Sequence, residues 1–253
     1  MSIRIVLVEP QHPGNIGAVA RAMKNMGLRD LHLVRPALFP HAEASARASG
    51  ADDVLEAARV HQDFSQAIAD CGLIVGTSAR QRHLPWALSE PRECGAQIVQ
   101  AARAGGAAIV FGAERTGLTN AELERCNLLL TIPTAGDYSS LNLAMAVQVV
   151  AYELWLASRT SAPPQPERDV PLASAEEMAR LYVHLEQVLE EIDFKDRTGG
   201  GHLMTRLRRL FNRALLDQNE MNILRGILTA VQSRRRPAGK KNVADASSEN
   251  QRQ

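Results

Sequence analysis

The sequence predicts an α/β domain with a mostly parallel sheet, followed by a small helical domain. Over about the first 160 residues, short apolar runs alternate with helical patterns, which is typical of a parallel sheet with helices on both faces. Several runs are almost continuous in Val, Ile and Leu, as expected for strands covered on both sides. A proline-rich segment then separates this region from a charged helical one.

Five strands and five helices are predicted in the first domain. The strands cover residues 3–8, 31–34, 73–77, 107–111 and 128–132. Shorter helices are expected near 15–26, 63–69, 89–103 and 119–125, and a longer one over 140–158. The longer helix is apolar almost all round, which indicates burial in a core or an interface. Functional loops are expected beyond the carboxyl ends of the strands.

The proline-rich segment at 160–166 marks the boundary between the two domains. We expect a first domain over 1–158, a linker over 159–172, a helical extension over 173–233 and a disordered tail over 234–253. Within the extension, Ser174 and Glu177 have the spacing of a capping box, which begins a helix that reaches about Ile192. One or two further helices are expected between about His202 and Gln232.

The charge of the chain is unevenly divided. Its formal net charge is only +1, yet residues 167–193 hold 2 basic and 8 acidic residues, and residues 195–241 hold 12 basic and 3 acidic ones. Such a basic stretch is a candidate footprint for nucleic acid. From charge alone, a solvated tail is an equally good explanation.

The composition also bears on location and on metals. No apolar run reaches the roughly 18–20 residues that cross a bilayer, and the first residues enter a strand without a signal-peptide pattern. The three cysteines, Cys71, Cys94 and Cys126, lack the spacing of a zinc site or a disulfide framework. We therefore expect a cytoplasmic protein without a metal.

Three clusters of glycine and polar residues follow strands or begin helices, at 15–21, 112–118 and 139–146. The second cluster has two glycines around four residues, but Leu118 stands where a P-loop requires lysine. Asn15 and Ser140 are natural helix caps, so capping is an alternative role for both. Asn142 lies on an apolar helix, where a buried amide needs hydrogen-bond partners.

Taken together and in this order, the three clusters resemble the three motifs of the SPOUT methyltransferases, a superfamily of knotted enzymes that use S-adenosylmethionine. The resemblance covers residues 1–158 and is to the branch that methylates ribose 2′-hydroxyls. Four further segments narrow it to the bacterial tRNA (cytidine/uridine-2′-O)-methyltransferases: GTSAR at 76–80, LPW at 84–86, PRE at 91–93 and LRRLF at 207–211. It implies a deep trefoil knot towards the carboxyl end of the domain, a homodimer that uses the helix at 140–158, and methylation at tRNA position 32.

The resemblance also implies roles for individual residues. The implied catalytic set is Arg21, Asn15, Ser140 and Asn142, with Arg21 stabilising charge on the ribose oxygen. The methyl donor is expected to lie against Thr77, Ser78, Ala79, Gly112, Glu114, Gly117, Ile132, Ser140, Leu141 and Ala144. Arginines expected to contact RNA are Arg82, Arg115, Arg206, Arg208, Arg209 and Arg213. Relatives often carry a polar residue where this chain has Ala113, so no contact is expected from that side chain.

The spacing of the arginines in the helical extension supports their predicted contact with RNA. The four arginines recur at three- and four-residue intervals and can line one helix face, although an ordinary solvated helix is the alternative.

Two other functions stay open for the whole chain: a ribose methyltransferase for another tRNA or rRNA site, and a knotted RNA-binding dimer without catalysis. The presence of Asn15, Arg21 and Glu114 argues against the second.

Overall fold

The computed structural model describes residues 3–78, 88–135, 140–159, 170–194 and 202–235, so most of the predicted linker and tail lies outside the described residues. Its centre is a seven-stranded sheet in the order β3-β2-β1-β6-β4-β7-β5. All of the strand pairs are parallel, which confirms the predicted sheet. The strands are β1 (Ile3–Val8), β2 (Asp30–Val34), β3 (Arg59–His61), β4 (Leu73–Thr77), β5 (Leu88–Ser89), β6 (Ala107–Phe111) and β7 (Leu128–Leu130).

Helices cover both faces of the sheet. One core contains Ile5 and Leu7 of β1, and the other contains their neighbours Val6 and Val8, because side chains alternate along a strand. The helices of the first core are α1 (Pro13–Asn25), α2 (Ala42–Ala48), α3 (Asp52–Glu56), α5 (Pro91–Ala104) and α7 (Leu143–Arg159). Those of the second are α4 (Phe64–Ile68) and α6 (Asn120–Leu123).

Several predicted bounds differ from the structure. Strand β7 ends at Leu130 rather than 132, and α7 begins at Leu143 rather than 140. Helices α2 and α3 and strands β3 and β5 were not predicted. Helix α2 buries only alanines, β5 has two residues, and two of the three residues of β3 are exposed, so none of them has a strong hydrophobic period.

The helical extension contains α8 (Ala175–Glu191), α9 (Leu203–Ala214) and α10 (Gln218–Arg235). The predicted capping box is confirmed: the Ser174 hydroxyl accepts from the Glu177 amide at 3.2 Å, and the Glu177 carboxylate accepts from the Ser174 amide at 2.8 Å. A small core of Met178, Leu181 and Tyr182 on α8 and Met221 on α10 holds these helices together. Among the described helices, none has both the length and the apolar character needed to cross a bilayer.

Asn212 joins the extension to the first domain. Its side chain is 5% exposed. The side-chain amide donates to the carbonyls of Glu124 and Cys126 at 3.1 and 3.4 Å, and the side-chain oxygen accepts from the Tyr182 hydroxyl at 2.6 Å. The Ala175 amide donates to the Cys71 carbonyl at 2.9 Å. Helix α9 is therefore held against the loop that precedes β7.

Candidate active site

A cavity of about 220 Å³ lies at the carboxyl ends of β4, β6 and β7, where the parallel sheet predicts a functional site. The second and third glycine-and-polar clusters both contribute to it. Its lining residues are Thr77, Ser78, Phe111, Gly112, Ala113, Glu114, Arg115, Thr116, Gly117, Leu118, Leu123, Leu130, Ile132, Ser140, Leu141, Leu143 and Ala146. Polar groups and aliphatic side chains thus face the same space.

The loop after β6 forms one wall of the cavity from its own backbone. Gly117 has φ +67°, and its amide donates to the Ala113 carbonyl at 2.8 Å. A Cβ atom on Gly112 would lie 2.2 Å from the carbonyl carbon of Gly117. Glycine is therefore required at 112, because only glycine lets this loop close on its own backbone.

A chain of side-chain hydrogen bonds joins all three clusters. The Asn142 amide donates to the Asn15 side-chain oxygen at 3.0 Å. The Asn15 amide in turn donates to the Glu114 carboxylate at 2.9 Å. The Glu114 carboxylate only accepts, so Asn15 must turn its NH2 group towards Glu114 and its side-chain oxygen towards Asn142. Asn142 must then turn its own NH2 group towards Asn15.

Glu114 also holds the loop between β1 and α1. Its carboxylate accepts from the backbone amides of Gln11 at 2.9 Å and His12 at 3.4 Å. Partial burial alone would raise the pKa of Glu114, but the hydrogen bonds from Asn15, Gln11 and His12 outweigh that effect and lower it. The carboxylate stays ionised at neutral pH and acts as an acceptor.

The capping role weighed for Asn15 and Ser140 is wrong. Helix α1 begins at Pro13 with His12 as its N-cap, so Asn15 lies inside the first turn. At α7 the cap is Asn142: its carbonyl accepts from the Ala146 amide and its side-chain oxygen accepts from the Ala144 amide, both at 2.9 Å. Asn142 therefore caps α7 with one end of its amide and orients Asn15 with the other.

Most of the residues predicted for the methyl donor line this cavity. They are Thr77, Ser78, Gly112, Glu114, Gly117, Ile132, Ser140 and Leu141. Ala144 does not line it; Ala146, which is about 200° further round α7, lines it instead. Ala79 and Arg82 lie outside the described residues. Arg115 was predicted for RNA and lines the rim of the cavity.

Several lining residues were not predicted, among them Phe111, Thr116, Leu118, Leu130 and Leu143. They are sequence neighbours of the predicted residues, and the only signal for them is that a short loop contributes consecutive positions to one wall.

Arg21 is not brought into the cavity. It is exposed on α1, about 9 Å along the helix axis from Asn15, and it forms no hydrogen bond or ion pair with any residue that the structure describes. An arginine without a carboxylate partner keeps all five N–H donors for a ligand.

The basic residues of α9 lie on two sides of the helix. Arg206, Arg209 and Arg213 follow a three- and four-residue spacing and share one face. Arg208 is turned away from them, and its guanidinium carbon lies 5.6 Å from the centre of the Tyr182 ring. The predicted face therefore holds three of the four arginines.

All three cysteines are free and buried. Burial raises the pKa of Cys71 to about 12 and raises the pKa of Cys94 and of Cys126, so these buried thiols stay protonated at neutral pH. In the described part of the chain, no three His, Cys, Asp or Glu side chains are grouped as metal ligands.

Comparison with known proteins gives matches to both halves of the chain. The SpoU rRNA Methylase family matches residues 2–152, and the C-terminal domain of the tRNA methyltransferase TrmJ matches residues 176–242. The tRNA (cytidine/uridine-2′-O-)-methyltransferase TrmJ of Sodalis glossinidius is 51% identical over 240 residues, which is 93% of each chain.

Two further similarities cover nearly the same length. The tRNA (cytidine/uridine/adenosine-2′-O-)-methyltransferase TrmJ of Pseudomonas aeruginosa is 49% identical over 241 residues, covering 91% of this chain and 93% of that one. The crystal structure of TrmJ from Z. mobilis ZM4 aligns with a TM-score of 0.78 at 34% identity, covering 92% of this chain and 100% of the other.

Proposed function

This chain belongs to the SpoU methylase family and, within it, to the TrmJ tRNA methyltransferases, and we propose that it methylates the ribose 2′-hydroxyl of a cytidine or uridine at position 32 of the tRNA anticodon loop. The observation that carries this proposal is the hydrogen-bonded chain from Asn142 through Asn15 to Glu114, which joins three separate sequence motifs beside one cavity. S-adenosylmethionine is the methyl donor of the proposed reaction.

The cavity suits S-adenosylmethionine in the chemistry of its lining. The loop from Gly112 to Gly117 closes on its own backbone, where a Cβ atom at residue 112 would clash, and this backbone lines the cavity. Aliphatic side chains such as Leu130 and Ile132 can contact an adenine ring, and the hydroxyls of Thr77 and Ser78 lie at the same wall for polar groups. When bound, this cofactor supplies an electrophilic methyl group on a sulfonium.

The protein contributes position and charge. Methyl transfer needs in-line attack by the ribose oxygen, so holding the nucleotide in place accounts for much of the rate. We assign the planar guanidinium of Arg21 the orientation of a nucleotide phosphate and the stabilisation of charge on the 2′-oxygen. Phosphate or water then accepts the hydroxyl proton. Asn142 and Ser140 hold the ribose or order its surroundings, and Asn15 is oriented for the same task by Glu114.

The helical extension supplies affinity for RNA. Arg206, Arg209 and Arg213 share one face of α9 and can contact phosphates of the tRNA, as can Arg115 at the rim of the cavity. Because Asn212 anchors α9 to the loop before β7, this basic face keeps a constant direction relative to the first domain.

A homodimer is part of the proposal. Helix α7 exposes Met145, Val149 and Tyr152, with Met145 61% exposed and Tyr152 44% exposed. These residues stand at i, i+4 and i+7 and form an apolar stripe on the outside of the helix. A second copy of the chain would cover the stripe and place the two cavities near the interface.

Three further features belong to the same proposal. The trefoil knot is assigned to the chain between β6 and α7, whose two ends line one cavity. The domain bounds are 1–158 and 173–233, joined by the linker at 159–172. As a tRNA-modifying enzyme, the protein is assigned to the cytoplasm.

The test is incubation of total tRNA with labelled S-adenosylmethionine, followed by mapping of the labelled ribose. Label on the 2′-oxygen of nucleotide 32 is the expected result. Because the Pseudomonas relative is named for adenosine as well, the tRNA pool should include molecules with adenosine at that position. Label at another position, or on rRNA only, would overturn the assignment, and binding of cofactor without transfer would favour a non-catalytic RNA-binding dimer.

A further inference from the structure

A second and larger cavity, of about 370 Å³, lies between the first domain and the helical extension. Its walls come from α4, the start of β4, the loop before β7, and helices α8 and α9. Ile74 and Met178 contribute apolar surface, and Tyr182 and Arg208 contribute polar groups from the extension. Residues from both domains are therefore needed to form it.

Arg208 has an unsatisfied donor at this cavity. Its Nε atom is buried and has no hydrogen-bond partner. An unpaired donor shielded from water is costly, so a group that accepts a hydrogen bond would be favoured beside it. The guanidinium lies over the Tyr182 ring, which holds the side chain in this orientation through a cation–π contact.

The charges at the cavity favour an anion. Two acidic residues line it, but each has another partner: Glu176 pairs with Arg180 at 2.8 Å, and Glu124 accepts from the Thr205 hydroxyl at 3.5 Å. The two lining arginines, Arg125 and Arg208, form no ion pair with an acidic residue in the described part of the chain. The Thr205 hydroxyl does not neutralise Glu124, so two arginines face one uncompensated carboxylate and the net charge of the lining is +1.

We propose that this junction cavity binds one nucleotide, with the phosphate at Arg125 and Arg208 and the base against the apolar wall and the Tyr182–Arg208 pair. Its volume is at the lower end of the range for small-ligand sites, which suits a single nucleotide. Proteins commonly hold an unstacked base against an aromatic ring or a guanidinium plane. The inference rests on the proposed tRNA methyltransferase function insofar as the nucleotide belongs to the tRNA substrate.

The two cavities are related through β4. Ile74 lines the junction cavity and Thr77 lines the active-site cavity, three residues further along the same strand. At about 3.3 Å per residue, these positions are roughly 10 Å apart. In the proposal, one nucleotide of the tRNA is held in the junction cavity while another is methylated.

The direct test is calorimetric titration of the full chain with cytidine 5′-monophosphate, in the presence of saturating S-adenosylhomocysteine so that the active-site cavity is occupied. One site is expected. Arg208→Gln removes the cation and Ala179→Trp fills the cavity from α8, and each is expected to weaken binding about tenfold or more. Circular dichroism and urea unfolding of each variant report whether it is folded.

Two matched variants serve as controls. Arg225→Gln removes an exposed cation from α10, and Gln187→Trp places an indole on α8 away from the cavity lining. Both are expected to bind the nucleotide like the unaltered chain. Equal binding by the unaltered chain and all four variants would overturn the proposal. It would also be overturned if the unaltered chain did not bind the nucleotide and Arg208→Gln and Ala179→Trp left the KM for tRNA unchanged.

The source of the nucleotide is read from methylation kinetics. If it belongs to the tRNA, Arg208→Gln and Ala179→Trp raise the KM for tRNA severalfold while the affinity for S-adenosylhomocysteine is unchanged. If the ligand is a free nucleotide, the two variants lose binding of cytidine 5′-monophosphate while their KM for tRNA stays unchanged. Failure of the unaltered chain to methylate tRNA would contradict the proposed function, whereas the titration would still report on this site.

Discussion

The side-chain amide of Asn142 donates a hydrogen bond to the side-chain oxygen of Asn15 at 3.0 Å, although the two residues are 127 positions apart in the chain. The same Asn142 caps α7, and the same Asn15 bonds Glu114. The first helix of the domain and the last are thus oriented by one amide pair, and a change at either residue is transmitted to both helices.

Asn142→Ala is expected to lower kcat for tRNA methylation by about a hundredfold, because small displacements of a positioned group have effects of that size. The variant removes the cap of α7 and the donor to Asn15 together. Single-turnover methylation assays measure the effect. Asn25→Ala, at the exposed end of α1, is the control and should retain full activity; a kcat within about twofold of the unaltered protein in Asn142→Ala would contradict the assignment.

Arg21→Ala is expected to abolish methyl transfer while leaving cofactor affinity nearly unchanged, because the side chain is exposed and does not line the cofactor cavity. Calorimetric titration with S-adenosylhomocysteine and a methylation assay give the two readouts. Arg21→Lys keeps the charge but not the planar fork, so partial recovery is expected. The control is Arg59→Ala on the edge strand β3. Loss of cofactor binding in parallel with activity would show that Arg21 supports the fold.

Glu114 gives a pH dependence of stability. Its pKa in the folded protein is below the ordinary value of 4.5. Its contribution to the free energy of unfolding is therefore complete above pH 4.5 and is lost as the pH falls through the folded pKa. Glu114→Gln should therefore be less stable than the unaltered protein at neutral pH, and the difference should shrink on acidification. Urea unfolding over a pH series measures it, with Glu190→Gln on exposed α8 as the control. A difference that stays constant with pH would contradict the role of the charge.

The basic face of α9 gives a salt dependence of binding. Replacing Arg206, Arg209 and Arg213 together by Gln should weaken tRNA binding and reduce the slope of log affinity against log salt by about one for each phosphate that is no longer neutralised. Filter binding at several salt concentrations tests this. Arg103→Gln, at the exposed end of α5, should leave the slope unchanged. An unaltered slope in the triple variant would remove α9 from RNA recognition.

The apolar stripe on α7 gives a test of assembly. Val149→Asp places a charge within the proposed interface, where burial without a partner is unfavourable, and should convert the dimer into monomer. Sedimentation velocity measures the mass. Val60→Asp, on the exposed edge of the sheet, should not change it. A dimer that persists in Val149→Asp would assign the interface to another surface.

The sequence was most informative where hydrophobic pattern and turn chemistry act locally. The strands with continuous Val, Ile and Leu were predicted with nearly the observed bounds, and the capping box at Ser174 identified the start of α8. Short or half-exposed elements such as β3 and α2 give no such period. Because parallel strands end at one edge, the meeting of the three clusters could also be predicted.

The individual partners could not be predicted. Nothing local indicates that Asn15 bonds Glu114 and Asn142, since those pairs form only when distant segments pack together. The same holds for Asn212, an amide within a basic helix whose acceptors are carbonyls more than eighty residues earlier. Arg208 is a different case: two residues after Arg206, it is about 200° further round an α-helix, so its separate direction follows from geometry.

The attachment of Asn212 to the carbonyls of Glu124 and Cys126 also sets an order for biosynthesis. A ribosome delivers residues 124–126 well before residue 212, and domains of a growing chain generally fold in the order of their synthesis. The extension therefore docks onto a domain that is already folded. A nascent chain therefore acquires its cofactor cavity before α9 can dock.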